Sequence, residues 1–172
     1  AMRAVEGSGL LHTPADPLPA PVYLAAHGPQ MMRVAADLAD GANTYMQPPE
    51  HTYQSRQTLG PDTTLSVVLP CVLDTDADAA RAAGRRALSI YLSLPAYQRQ
   101  WAASGFDESD WAGRGSDRLI DSFVAWGDAE TIGERVAAHI AAGADQVLIS
   151  ANNPDRSDPD RLWDALEALA PG

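Results

Sequence analysis

Lysine is absent from this 172-residue chain: all 12 basic residues are arginine, set against 23 Asp and Glu, for a formal net charge of −11. A surface that acidic repels polyphosphate backbones, which argues against DNA or RNA as a partner. Cysteine occurs once, at Cys71 inside an apolar run. No internal disulfide can form, and a buried structural thiol is expected there rather than a nucleophile. No apolar stretch approaches the roughly 20 residues that span a bilayer, and no charged-then-apolar leader opens the chain, so neither membrane insertion nor export is expected. Ala1 ahead of Met2 reads as a residue left by removal of a tag, with the reading frame starting at Met2. HExxH, paired CxxC, P-loop and Gly-x-Ser-x-Gly motifs are missing, so metal or nucleophile catalysis gains no support; without GxGxxG a Rossmann dinucleotide site is not expected. These absences fit a soluble bacterial cytoplasmic protein, and the lysine-free, alanine-rich composition suits a high-GC genome.

What is present is a series of strand and helix signals. The most informative is Pro21–Gly41, PVYLAAHGPQMMRVAADLADG. It reads as a buried strand (Val22–Ala26), a sharp His27-Gly28-Pro29 turn, and a helix. Met31, Val34, Ala35 and Leu38 fall at the i, i+3, i+4, i+7 spacing of a stripe packed on a sheet. Pro29 suits the first helical turn, where a missing N–H costs nothing. A strand that turns through Gly into a helix N-terminus offers free amides and a positive dipole end to an anion. An ordinary β/α unit without a ligand satisfies the same pattern.

Further strands are expected at Ala42–Met46, Leu65–Leu73 and Gln146–Ser150, with helices between them. The longest helix is read over Asp76–Leu94, with Ala79, Ala83, Ala87, Ile90 and Leu94 facing inward. Pro95 restarts a short helix through Trp101, Ser116–Ala125 forms another, and Asp128 caps a helix in which Ile132, Val136 and Ile140 recur before Gly143 ends it. Asp158-Pro159 opens the last helix, with Leu162, Trp163, Leu166 and Leu169 inward. Gln47–Thr64 reads as a loop with at most a short helix, and residues 1–20, with Pro14, Pro17 and Pro19, as an extended arm. Pro70 removes a ladder donor and points to a bulge or an edge position. Strands alternating with helices argue for parallel β/α units in one domain, residues 21–172. Four units leave two long edges open, and such edges invite pairing with another chain.

Five stretches in order, Pro21–Gly41, Leu65–Leu73 (LSVVLPCVL), Tyr91–Phe106 (YLSLPAYQRQWAASGF), Ser116–Gly127 (SDRLIDSFVAWG) and Ala142–Ile149 (AGADQVLI), resemble the luciferase-like monooxygenases, flavin- or coenzyme F420-dependent (β/α)8 barrels. Their wording most resembles the F420-dependent oxidoreductase branch. The resemblance implies an α/β fold, a partial TIM barrel of about four β/α units corresponding to the C-terminal half of the eight; a complete barrel takes about 250 residues. It implies an oxidoreductase using F420 or FMN on a small-molecule substrate, and either a homo-oligomer or a missing N-terminal half as partner. In the family the loop after strand five lends amides to the cofactor's phosphate region, which points to Ala26, His27, Gly28, Gln30 and Met31. Strand-end residues Thr44, Tyr45 and Met46 are expected near substrate or cofactor. Lysines that grip a sugar phosphate in one branch have no counterpart here. Residues flanking the reactive ring come largely from the N-terminal half, so no catalytic residue is named. Two alternatives stay open: a truncated paralogue that binds a flavin-like cofactor or self-associates without turnover, and a native protein longer than its assigned frame.

Of the remaining candidates, Ser150, Asn152 and Asn153 read first as a turn. Arg81, Arg85 and Arg86 read as solvated, His139 as surface or packing, and His12 and His51 as loop residues without a pattern around them.

Overall fold

The computed structural model describes residues 20–155 and 157–170, so the arm expected over residues 1–20 falls, but for Ala20, outside them, as does His12. In chain order the elements are β1 (Tyr23–Ala25), α1 (Pro29–Leu38), β2 (Gly41–Tyr45), α2 (Pro49–Leu59), β3 (Thr64–Leu73), α3 (Ala77–Leu88), α4 (Pro95–Ala103), α5 (Glu108–Trp111), α6 (Asp117–Phe123), β4 (Ala125–Gly127), α7 (Ala129–Ala141), β5 (Gln146–Ala151) and α8 (Asp160–Ala168). The longest apolar run forms β3, the centre of a parallel sheet: Ser66, Val67 and Val68 pair with β2 on one edge and β5 on the other. β1 extends the sheet beyond β2, and β4 adds to the C-terminal end of β3. The result is half of a (β/α)8 barrel. Among the described residues, β1 and β5 each pair along one edge only.

Register decides the faces. Leu24, Ala42 and Leu65 stand in one row and pack against Met32 and Ala35 of α1 and Leu59 of α2. Leu69 and Cys71 continue that face against Ile132 and Val136 of α7. The opposite face carries the rows Ala25–Asn43–Ser66–Gln146 and Tyr45–Val68–Leu148, and Leu148 remains 45% exposed. Cys71 lies buried in β3, where burial pushes its thiol up to about 12, as a structural thiol requires.

Several helix faces differ from their sequence reading. α1 buries Met32 and Ala35 and leaves Met31, Val34 and Leu38 exposed. Among the described residues β1 is an edge strand, and none of them covers the stripe that spacing assigns to a sheet. In α3 the buried positions are Ala80, Ala83, Gly84 and Leu88; the helix stops at Leu88, and Ile90 and Leu94 are exposed. Trp163 and Leu166 of α8 are likewise exposed, and Ile140 of α7 gives way inside to His139. Asp128 caps α7 as expected, and Asp76, read as the first residue of its helix, is the cap of α3; each accepts backbone N–H bonds.

Three elements are new: α2, β4 and the one-turn α5. Gln47–Thr64 is dominated by the 11-residue α2, opened by Pro49 and closed at Gly60 with φ 81°. The tail of the expected Ser116–Ala125 helix becomes β4. Pro70 makes neither a bulge nor an edge. Thr64 N–H donates to Asp40 and Asp145 N–H to Leu65, so even residues of β3 turn their backbone groups toward β2. Pairing with β2 ends at Val68, and the donor missing at Pro70 falls beyond it.

The segment from α3 to α6 forms a second apolar cluster around Trp101, Leu119, Ile120 and Phe123. Arginines expected to be solvated hold it in place. Arg81 donates to both carboxylate oxygens of Asp121 (3.0 and 2.7 Å), Arg85 pairs with Asp117 and donates to Gly115 O (3.1 Å), and Arg86 donates to Asn153 O and Pro154 O (3.1 and 2.9 Å).

Candidate cofactor site

The turn out of β1 builds the site. Gly28 is the N-cap of α1 in extended conformation, no side chain caps the helix, and no acidic residue occupies its first turn. Pro29 has no N–H, and Met32 N–H is the first to bond back, to Gly28 O. The amides of Gln30 and Met31 are therefore left for a ligand or water. Nothing lies within 4 Å of where a Gly28 Cβ would stand, so the approach is open. This helix end opens into a cavity of about 870 Å³, within the range of small-molecule sites.

Most of the lining comes from three places, with Ala25, Phe106 and Ser122 completing it. The β1–α1 turn gives His27, Gly28 and Met31; α2 gives Glu50, His51 and Ser55; α4 gives Tyr97, Arg99 and Gln100. The His27 ring packs tilted against Tyr97, with centroids 5.4 Å apart, and Tyr97 continues to Tyr91 (4.9 Å) and Trp101 (5.8 Å). Nδ1 of His27 is buried without a partner. Burial, then the neighbouring His51, holds the His27 ring below its usual pKa, and burial does the same to His51. Both rings are neutral at physiological pH, so Arg99 is the fixed cation among these lining side chains.

The residues singled out from sequence divide. His27, Gly28 and Met31 line the cavity, and Gln30 is exposed on α1 beside them. Ala26 is fully buried against α1 and α2. Thr44, Tyr45 and Met46 stand at the end of β2 and are not among the lining residues. Thr44 is fully buried, its hydroxyl without a partner. Tyr45 packs edge-on against Tyr91 at 5.4 Å, and burial raises its phenol to about 12. Met46 sits in the α3–α6 cluster with φ 54°. Asn152 and Asn153 make turn hydrogen bonds after β5, to Ser150 O and Asp158 O.

Sequence reasoning missed His51, Tyr97, Arg99 and Gln100. His51 fell in a presumed loop, although Glu50 in the first turn and Arg56 in the last of α2 fit a helix dipole. The α4 residues lie within the family-like stretch Tyr91–Phe106, which marked the segment without marking a site; packing of Trp101 and the contacts of Tyr97 and Gln100 with His27 bring that helix over the site. Among the described residues, no cluster of His, Cys, Asp or Glu could hold a metal ion, and no helix is long and apolar enough to cross a membrane.

A parallel half-barrel with a ligand-sized cavity at the C-terminal ends of its first strands defines a partial TIM-barrel protein. The chain belongs to the luciferase-like monooxygenase family, whose profile it matches over residues 3–146. Its fold is similar to that of the coenzyme F420-dependent tetrahydromethanopterin reductase from Methanopyrus kandleri, at 17% identity and TM-score 0.63, covering 87% of this chain and 50% of that one. It is also similar to an F420-dependent secondary alcohol dehydrogenase in complex with an F420–acetone adduct (16%, TM-score 0.61, 92% and 51%). A third similar structure is the oxygenating constituent of 3,6-diketocamphane monooxygenase from Pseudomonas putida, in complex with FMN (15%, TM-score 0.55, 86% and 44%). At these identities the likeness is one of fold. The chain spans about half the length of the first two of these structures. No curated protein matches its sequence.

Proposed function

We propose that this chain is the C-terminal half of a flavin-type oxidoreductase, using F420 in preference to FMN, and that its cavity seats the phosphate side of the cofactor. The observation that carries this reading is the uncapped N-terminus of α1 opening into the 870 Å³ cavity. The free amides of Gln30 and Met31 suit phosphate oxygens, and Arg99 adds a cation on the opposite wall. His27 Nδ1 is a further polar atom in want of a partner. Hydride transfer is what such a cofactor supplies when bound. This chain's part is to bind the cofactor and orient it against a small-molecule substrate; Thr44, Tyr45 and Met46, packed at the end of β2, do not line the cavity. A cytoplasmic setting suits the single buried thiol.

A second reading, a binding or self-associating protein without turnover, draws on the unpaired outer edges of β1 and β5. Four further parallel strands, from a second copy or an N-terminal half, would close both edges at once.

Fluorescence titration of F420, with FMN in parallel, against the full chain at two protein concentrations tests both. Saturable micromolar binding of F420 tighter than FMN supports the cofactor reading. Affinity that rises with protein concentration supports a seat completed across an interface, whereas no binding of either at both concentrations overturns the cofactor reading.

A further inference from the structure

Helices α1, α2, α7 and α8 stand in that order along the outer face of the sheet, from β1 at one edge to β5 at the other. Each turns one side back toward the unit before it and the other forward toward the unit after it. On α2, His51 stands one residue before the buried Thr52 and reaches back to the His27 carbonyl oxygen at 2.7 Å. Arg56 stands one residue after the buried Ser55 and reaches forward to Gly143 O, beyond the end of α7, at 2.8 Å. A step of one residue turns a helix by about 100°, so the same offsets mark the same two sides on its neighbours. On α1, Met31 precedes the buried Met32, and with Val34 and Leu38 it forms the backward side. On α8, Leu166 follows the buried Ala165, and with Trp163 it forms the forward side, while Arg161 turns back to donate to Asp74 at 3.0 Å. These two sides border β1 and β5, the strands that pair along one edge only among the described residues. All five side chains are exposed, from 37% at Leu166 to 78% at Leu38.

The two open faces complement each other. A two-fold rotation about the axis of a parallel barrel carries each strand to the one opposite and keeps every strand parallel. Applied to this chain, it sets β5 of one copy against β1 of the other, and α8 against α1, at two identical seams. With Leu148, 45% exposed on β5, these side chains present on the order of 600 Å² per chain, against about 800 Å² from each partner in a standard interface, before the strand edges are added. A second copy thus brings both missing faces in one molecule.

We propose that a second copy of this chain closes the half-barrel by this two-fold, with α8 packed on α1 at both seams, and that each cavity is completed by the partner's turn after β5. The cavity reaches the open edge: Ala25, exposed at the end of β1, lines it, and so does Met31 of the backward stripe. Parallel strands end on one side of a barrel, so the partner's Asn152 and Asn153 come beside the His27-Gly28 turn. The proposal deepens the reading in which the edges of β1 and β5 are sites of closure, and it does not depend on which cofactor, if any, the cavity takes.

Light scattering of the full chain at about 10 μM tests it, with a mass of two chains expected. A monomer overturns the proposal, and so does an open series of larger species, which head-to-tail seams give when the rotation does not close. Leu38→Asp on α1 and Trp163→Asp on α8 should each raise the dissociation concentration about tenfold or more. Tyr53→Asp, 57% exposed on α2 and away from both seams, adds the same charge and should leave it unchanged. A dimer that responds to only one of the two seam variants is a patch meeting its own copy, which overturns closure and leaves self-association standing. Amide exchange in β1 and β5 should slow about tenfold from dilute to concentrated protein, and unchanged exchange in both strands also overturns closure. Failure to bind F420 or FMN alters none of these outcomes.

Discussion

Thr52 and His139, 87 positions apart in the chain, share a hydrogen bond of 2.9 Å between Oγ1 and Nδ1 that joins α2 to α7. His139 is wholly buried and its Nε2 has no partner. Burial first, then the charge of Arg135, lowers its pKa to about 4. The folded state thus binds this proton less readily than the unfolded chain, whose histidines titrate near 6.5. Stability from this site is complete above about pH 6.5 and is lost as pH falls toward about 4, by about 3 kcal/mol in all. Urea midpoints measured across that range should fall with acid, and His139→Asn should flatten the fall.

Arg56 ties α2 to the two loops that lead into β3 and β5. Its guanidinium donates to Gly143 O (2.8 Å), Gly60 O (2.6 Å), Thr63 O (2.9 Å) and Asp145 Oδ2 (2.5 Å). Asp145 in turn accepts from Leu65 N–H at 2.7 Å, at the start of β3. Arg56→Leu leaves several partly buried acceptors unmet and should cost about 2–4 kcal/mol by denaturant titration. Arg56→Lys should recover little, because an ammonium cannot reproduce the planar fork.

Gly84 allows α3 to touch α6. A Cβ there would stand 2.7 Å from Cγ2 of Ile120, which is fully buried. Gly84→Ala gains helix propensity of about 1 kcal/mol. Overpacking costs about 1–3 kcal/mol, so the net effect should be a loss. A raised melting temperature would show that α6 yields more freely than its packing indicates.

Gly28→Asp separates stability from binding. The position is extended (φ −108°, ψ 162°), and a side chain there meets nothing within 4 Å. An Asp N-cap would bond the free amides of α1 and stabilise the fold by a few tenths of a kcal/mol. The same carboxylate takes the place of a phosphate and repels it. F420 or FMN affinity should fall about tenfold or more while the melting temperature holds or rises. Unchanged affinity would remove the α1 N-terminus from the site.

Leu148, in register with Val68, is 45% exposed on the edge strand β5. If strands from a second copy close the half-barrel, Leu148→Glu should shift light scattering toward the monomer with little loss of monomer stability. A chain that is already a clean monomer at low micromolar concentration would leave closure by a second copy without support.

The strands were the most legible part of the sequence. β3 was visible as an apolar run, because a strand buried between neighbours must be apolar along its length, and β5 as a shorter run at an edge. The cap at Asp128 was visible because a capping carboxylate acts within three residues. β4 was not: three residues, Ala125–Gly127, carry no period, and they become a strand only by lying beside Cys71–Leu73. α2 was hidden by its polarity, since what it buries is Thr52, Ser55 and Leu59 rather than an apolar stripe.

The sequence alone determined the order of β/α units, the acidic lysine-free surface and the Gly28-Pro29 turn that frees the helix amides, since each follows from local chemistry or composition. Which face of α1 is buried, where His51 and Gln100 meet, and how His139 pairs with Thr52 were decided only by tertiary structure. Those contacts join residues 49 and 87 positions apart. Spacing along one helix constrains side chains a turn or two away, whereas a contact between distant segments exists only once the sheet has set their separation and register.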